Sequence, residues 1–128
     1  MYDLKKCNVL INNEMVVGLG AGTPINVEYA SDRVNKYTGA KGETAFAITN
    51  DDSGTLTLTL MQSSNTNKVL HQLDKQEFSV TFVDSNDEGA IKATCTKCMI
   101  QTYAPNGRGT EITEREWVIA LPALVYQL

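Results

Sequence analysis

Hydrophobic and polar side chains alternate with a period of two along much of this 128-residue chain. The clearest case is the segment TLTLTL at residues 55–60, in which threonine and leucine take turns. Because successive side chains of a β-strand point to opposite faces, this pattern predicts a strand with leucines in a core and threonines on a half-exposed surface. The same alternation predicts strands at residues 78–84, 90–103 and 116–121.

Two other patterns mark a turn and a helix. Asn12 and Asn13 separate two apolar triplets, and asparagine tolerates the positive φ that a tight hairpin turn needs, so a hairpin is predicted there. Further along, apolar side chains at helical spacing follow three residues of the types that favour helix N-caps. They predict one α-helix at about residues 66–75.

The chain as a whole is therefore predicted to be mainly β. Six or seven strands with turns at fairly even spacing indicate an antiparallel β-sandwich or small barrel with one flanking α-helix, formed by a single domain over residues 1–128. Residues 31–43 combine two glycines with mixed charges and no clear alternation, so they are predicted to be a long exposed loop.

Charge and hydropathy exclude several classes of function. With 11 basic and 15 acidic side chains the formal net charge is -4, which argues against a protein that grips nucleic acid, because phosphate binding needs clustered cations. The apolar runs are far shorter than the roughly 20 residues that a membrane span requires, so no membrane anchor is expected. The N-terminal residues also lack the apolar region and cleavage site of a signal peptide.

Residue types that carry chemistry are few, and they do not form a catalytic or metal-binding pattern. Cys95 and Cys98 have C-x-x-C spacing, but they lie in a predicted strand, which would place them on opposite faces. The single histidine, His71, has no partner at a recognisable spacing and is expected at the surface or its boundary. The sequence therefore predicts neither an enzyme nor a bound metal or cofactor.

Two stretches of the chain resemble a known family, the tail tube proteins of contractile-tailed phages. The resemblance is to the phiTE type, which also occurs in Mu-like prophages. The resemblance is most specific in TGAKGETAFAITNDDSGTLTLTLMQSSNTNKVLHQL, residues 38–73, where a glycine-bounded loop leads through a turn into the threonine–leucine strand and the helix. A second stretch, GTEITEREWVIALP at residues 109–122, resembles the last core strand of that family.

The resemblance implies a structural protein of the virion tail, assembled in the host cytoplasm. Such proteins form hexameric rings that stack into a hollow tube, with a long loop that reaches the neighbouring ring. It implies as partners other copies of the chain, a sheath protein, baseplate or tube-initiator proteins and a tape-measure protein, with DNA as a passing cargo. From the acidic balance we also expect a mostly negative lumen.

The exposed loop and nearby charges are the candidate contacts between subunits and rings. The carboxylates at 114 and 116 share one face of a predicted strand, where they could pair with lysines of a neighbouring strand or subunit. The candidates are Arg33, Lys36, Tyr37, Lys41, Glu43, Asp51, Asp52, Glu114 and Glu116.

Two alternatives remain open. A tube protein of a phage-derived contractile bacteriocin or secretion system would have the same fold and would pass no genome. A ligand-binding β-sandwich, such as a carbohydrate-binding module, usually displays several aromatic side chains on one face. Here aromatic residues make up 7% of the chain, and the single tryptophan lies on a strand that is predicted to face the core.

Overall fold

A computed structural model describes residues 4–86, 90–105, 107, 109 and 113–127. These residues form ten β-strands, a 3-10 helix at Leu4–Lys6 and one α-helix, α1, at Thr66–Gln72. The strands are β1 (Cys7–Ile11), β2 (Glu14–Met15), β3 (Ile25–Tyr29), β4 (Val34–Thr38), β5 (Thr44–Ile48), β6 (Gly54–Met61), β7 (Phe78–Asp84), β8 (Ile91–Thr102), β9 (Glu114–Leu121) and β10 (Val125–Gln127).

Eight strands form one antiparallel sheet that folds over on itself. Their order is β2-β1-β7-β8-β9-β6-β3, and β10 adds to the start of β8. The 12-residue β8 pairs with β7 from Ile91 to Cys98, with β10 near its start and with β9 from Met99 onward, so it belongs to both layers of a sandwich. The prediction of an antiparallel β-sandwich with one α-helix is confirmed.

The core lies between the two layers and is built by strand alternation. Leu56, Leu58 and Leu60 of β6 are completely buried, while the threonines between them are half-buried on the opposite face. In the neighbouring β9, Trp117 and Ile119 are also buried. The predicted leucine and tryptophan faces are therefore confirmed, and burial of such side chains is the main stabilising contribution to a fold of this size.

A bulge in β8 corrects the prediction for the two nearby cysteines. Lys97 has φ +57°, and the pairing of β7 with β8 shifts register between Phe78 and Val80. The extra residue reverses the phase of the alternation, so Cys95 and Cys98 both point into the core instead of to opposite faces. Both thiols are reduced, and burial together with contact from Cys95 raises the pKa of Cys98.

The predicted turn is confirmed, and the helix is shorter than predicted. Asn12 and Asn13 have φ values of +51° and +68°, the left-handed pair that a type I′ hairpin needs. The helix α1 ends at Gln72 because the Leu73 N–H is shared between two carbonyls and Lys75 takes φ +62°.

The prediction for residues 31–43 was wrong in part. The segment is exposed, but β4 lies within it and pairs with β5 in a two-stranded hairpin that is separate from the main sheet. Periodicity did not reveal these strands because every residue in both of them is exposed, and a strand without a buried face needs no apolar alternation. The short strand β10 was missed as well, whereas β2 is the second strand of the hairpin predicted at Asn12 and Asn13. The three strands that were not predicted, β4, β5 and β10, explain why six or seven strands were expected and ten are described.

Candidate assembly interface

Residues 34–48, here called the hairpin arm, project from the sandwich. All residues of β4 and β5 are exposed, although the arm carries several large apolar side chains. An isolated two-stranded hairpin is marginally stable in water, and exposed apolar patches of this kind mark interaction surfaces. The arm is therefore the part of the described structure that most needs a partner.

The two faces of the arm differ in chemistry. Directly opposed residues of an antiparallel pair share a face, so Val34 lies beside Ile48 and Lys36 lies beside Phe46 on one side. Phe46 and Ile48 are 69% and 78% exposed. The other face carries Tyr37 among small side chains. The first face is thus an apolar strip with a single amine beside its aromatic ring.

Side chains at the base of the arm hold it to the sandwich. Arg33 Nη2 lies 2.8 Å from Asp52 Oδ1, Arg33 Nη1 donates to the Asp51 carbonyl at 3.0 Å, and the guanidinium stacks 4.2 Å from the Tyr29 ring centroid. The Asp52 contact raises the pKa of Arg33. Hydrogen bonds from Ser53 lower the pKa of Asp51. Arg33 therefore stays positively charged and Asp51 negatively charged at neutral pH.

A surface groove lies at the opposite end of β3 from the arm. It has a volume of about 450 Å³ and lies between the start of β1 and the end of β7 in one layer and the start of β3 in the other. Of the described residues that line it, Asp84 carries the charge, and the apolar lining comes mainly from Leu4, Pro24, Ile25 and Phe82. Here this site is called the edge groove.

Comparison with known families assigns the chain to one of them. The family model described as bacteriophage PhiTE tail tube protein matches residues 11–104, a range that runs from the last residue of β1 to just past β8 and includes the arm and the helix. The chain belongs to the bacteriophage PhiTE tail tube protein family. The resemblance noted from the sequence is confirmed, and the family is one of structural tail proteins. Among curated proteins, no sequence matches this tail tube protein.

Solved structures show that this tail tube fold is shared with chains of a virion, of a contractile injection system and of a tube-terminating cap. A chain of the native gene transfer agent virion is 13% identical with TM-score 0.66, and all of both chains is covered. The sheath/tube terminator of the extracellular contractile injection system PVC in its extended state is 11% identical with TM-score 0.62, covering 100% of this chain and 97% of that one. The cap of the anti-feeding prophage is 11% identical with TM-score 0.61, covering 99% and 91%.

The candidate contacts occupy two ends of the tail tube protein. Lys36 and Tyr37 lie on β4, and Lys41 and Glu43 lie at the tip of the arm. Arg33, Asp51 and Asp52 meet at its base, so the structure brings these three together within one chain. Whether any of the nine residues contacts another subunit stays a prediction.

Glu114 and Glu116 lie at the other end of the tail tube sandwich. Both are exposed on one face of β9, while Arg115 and Trp117 are buried on the other, which confirms the predicted alternation. Glu114 pairs with Met61 at the end of β6, seven residues from the arm end of that strand, or roughly 24 Å away. Glu116 pairs with Thr59, five residues or roughly 17 Å from the same end, so both carboxylates lie well away from the base of the arm in their own chain.

The histidine of the tail tube protein belongs to an aromatic cluster. His71 packs edge-on against Trp117 and contacts the hydroxyl of Tyr103, while Trp117 Nε1 donates to Asn67 Oδ1 at 3.0 Å. The position is half-buried, as predicted for a boundary residue. Within the described ranges, no three His, Cys, Asp or Glu side chains lie together in a metal-binding group. No helix there is long and apolar enough to cross a membrane.

Sequence reasoning missed the edge groove and the apolar strip of the arm. Phe46 and Ile48 were not singled out because they carry neither charge nor alternation relative to a buried face. Asp84 was not noticed because its neighbours in the groove, apart from Phe82, come from sequence positions about 60 to 80 residues away. The apolar content of residues 44–48 could be read from the sequence, but the exposure of these side chains could not.

Proposed function

We propose that this protein is the protomer of a phage tail tube, in which copies assemble into hexameric rings that stack around a lumen. The observation that carries the proposal is the hairpin arm, an exposed apolar hairpin on a sandwich of the PhiTE tail tube family. In a monomer such an arm is an aggregation hazard, whereas in an assembly its apolar strip is buried against another copy.

The tube would conduct a genome through the host envelope. A conduit should not bind its cargo, and a net charge of -4 repels phosphates. We therefore propose a mostly negative lumen, with DNA passing through it and not held as a ligand. A charge map of an assembled tube, from its electron-microscopy structure, tests this point, and a basic lumen would contradict it.

The remaining partners follow from the same role. A sheath protein would surround the tube, which is supported by the shared fold of a chain in the sheath-tube complex of a contractile injection system. A tape-measure protein would occupy the lumen before the genome does. Baseplate or tube-initiator proteins would start assembly, which we place in the host cytoplasm, and the finished protein would lie in the virion tail. Lys36, Tyr37, Lys41, Glu43, Glu114 and Glu116 are proposed to lie between subunits or rings.

Electron microscopy of the purified full chain tests the proposal. Stacked rings or hollow tubes are expected, together with a hexamer or larger species in size-exclusion chromatography with light scattering. A protein that stays monomeric at the highest soluble concentration would contradict it. The same measurement tests the ligand-binding alternative, since a carbohydrate-binding module needs no self-assembly.

A contractile bacteriocin or secretion-system tube is the second candidate, because the fold is shared with extracellular injection particles as well as with a virion. Purified particles from the producing cell separate the two. Nuclease-protected DNA inside tailed particles supports the phage role, whereas DNA-free contractile particles support the injection role.

A further inference from the structure

We infer that the apolar strip of the hairpin arm docks in the edge groove of a second copy, with Phe46 in the groove and Lys36 against Asp84. This inference rests on the proposed self-assembly and adds the surface that receives the arm. It makes the contact head-to-tail, because donor and acceptor are different surfaces of the same chain.

The arm cannot reach the groove of its own chain. The groove is lined by residues at the start of β3, and the arm leaves the sandwich after Tyr29 at the end of that strand. Arg33 and Asp52 tie the base of the arm at this end, and the exposure of both arm strands shows that the arm is not folded back along the sandwich. Donor and acceptor therefore lie at opposite ends of β3.

The two surfaces match in chemistry and in size. Phe46, 69% exposed, would bury its ring among Leu4, Ile25 and Phe82, which form an apolar lining of a volume typical of side-chain and ligand pockets. Leu4 is itself 41% exposed and would lose that exposure on docking.

The charges are complementary as well. Lys36 lies directly across the hairpin from Phe46 and on the same face. If the Phe46 ring enters the groove, the Lys36 amine is therefore brought to the groove beside it. Asp84 in the groove accepts hydrogen bonds from the backbone and side chain of Asn86 at 2.9 and 2.7 Å, and these bonds lower the pKa of its carboxyl. An ionised carboxylate therefore faces the position of the incoming amine.

Docking of this kind lets each copy bind one neighbour through its arm and another through its groove. A contact between two different patches of one chain closes into a ring or continues as a filament, according to the rotation between successive copies. The inferred contact thus accounts for assembly without requiring the sandwich edges to pair.

Zero-length carbodiimide cross-linking of wild-type assemblies gives the direct test. A mixture of isotope-labelled and unlabelled chains should yield a peptide that joins Lys36 of one copy to Asp84 of another. Tubes that form without this cross-link, while Lys41 at the arm tip cross-links to other carboxylates, would overturn the inference and leave the proposed function standing. A wild-type chain that never assembles would instead contradict the proposed function itself.

Substitutions test the same contact. Phe46→Ala should raise the concentration needed for assembly at least about tenfold, since a buried aromatic anchor dominates such interfaces. Lys36→Glu should impair assembly, and adding Asp84→Asn should restore part of it, because the asparagine still accepts from Asn86 and no longer repels the glutamate. Lys75→Glu, the same charge change in the turn after α1, is the matched control and should assemble normally. Normal assembly of Phe46→Ala would contradict the inference.

Discussion

Gly18 lies where the segment between β2 and β3 passes the start of α1. Its φ is +70°, and a Cβ at this position would lie 2.7 Å from the Cβ of Ser64. Hydrogen bonds fix the approach, since Val17 N–H donates to Thr66 Oγ1 at 3.0 Å and Met61 N–H donates to the Gly18 carbonyl at 2.7 Å. Any side chain at position 18 would therefore strain the left-handed backbone and also clash with Ser64.

Gly18→Ala should lower the free energy of unfolding by roughly 1–3 kcal/mol, because the left-handed backbone and the steric conflict both oppose the methyl group. Gly22→Ala is the matched control. Its φ is +76° but no atom lies within 4 Å, so only the backbone cost of about 1 kcal/mol applies. Urea unfolding measures both, and equal losses would show that contact with Ser64 does not matter.

Asp51 ties the turn before β6 to the base of the arm. Its pKa is lowered from the ordinary value of 3.8, mainly by hydrogen bonds from the side chain and backbone of Ser53 and further by Ser31 and Arg33. Since the pKa is lower in the folded chain than in the unfolded one, this stabilisation is complete above the unfolded value and is lost as the pH falls through the folded value.

Acidification from about pH 5 to about pH 2 should therefore destabilise the wild type more than Asp51→Asn, which has no proton to gain. Thermal unfolding across this range measures the difference. Asp74→Asn, in the exposed turn after α1, makes the same change in charge and should retain the wild-type acid response. A wild type and an Asp51→Asn variant with identical profiles would contradict the role of Asp51.

The strand β6 and the hairpin arm differ in how strongly their own residues specify their positions. The strand β6 is specified by three buried leucines and by partners on both sides, β3 and β9. The hairpin arm has only one ladder of backbone hydrogen bonds and no buried face, so its position depends on the contacts at its base. Opening of the arm and global unfolding should therefore be separate events.

Arg33→Ala should increase amide hydrogen exchange across β4 and β5, because the contacts to Asp52, the Asp51 carbonyl and the Tyr29 ring are lost together. The melting temperature should hardly change, since these contacts are exposed and lie outside the core. Exchange mass spectrometry of the dilute monomer makes the measurement. Lys41→Ala, which removes a positive charge at the arm tip, is the control. Unchanged exchange in the arm of Arg33→Ala would contradict a clamp at its base.

At the scale of the whole molecule, a sandwich body and a projecting limb can be distinguished. The body is the sandwich, whose single core spans both layers and the helix. The limb is the arm, whose two ends are joined by a hydrogen bond from Thr49 N–H to the Arg33 carbonyl at 2.9 Å. Stability and assembly should therefore be separable by mutation.

Replacing residues 34–48 with a short Gly–Ser linker should leave the fold and its melting temperature nearly unchanged, because the arm contributes no residue to the core. The same variant should stay monomeric in light scattering and form no tubes in electron microscopy. The wild-type chain, treated identically, is the control. Tubes formed by the armless variant would show that the sandwich edges alone suffice for assembly.

Periodicity predicted the parts of this fold in which one face is buried. The residues of β6 and β9 could be assigned to faces from the sequence because the leucines and Trp117 recur at every second position. The same reasoning placed Cys95 and Cys98 on opposite faces and failed, since a bulge at Lys97 inserts one residue into the count. Bulges arise from pairing with neighbouring strands, which a local pattern does not contain.

The sequence indicated the candidate interface through its charged residues and Tyr37, and not through its apolar strip. Arg33, Lys36 and Lys41 stood out as cations in a polar segment, whereas Phe46 carried no signal that separated it from a core residue. The partnership of Arg33 with Asp52 within one chain also could not be read from spacing, because it depends on β3 and β6 being neighbours in the sheet.

By itself, the sequence determined the β class, the helix, the turn at Asn12 and Asn13, the core faces and the resemblance to tail tube proteins, because all of these depend on local periodicity or local motifs. Tertiary structure alone decided that the predicted loop contains an exposed apolar hairpin arm, and that the edge groove, with Asp84 beside an apolar lining, lies at the opposite end of β3 from the arm. These features depend on which strands lie side by side and which side chains remain uncovered, and that is a property of the folded chain.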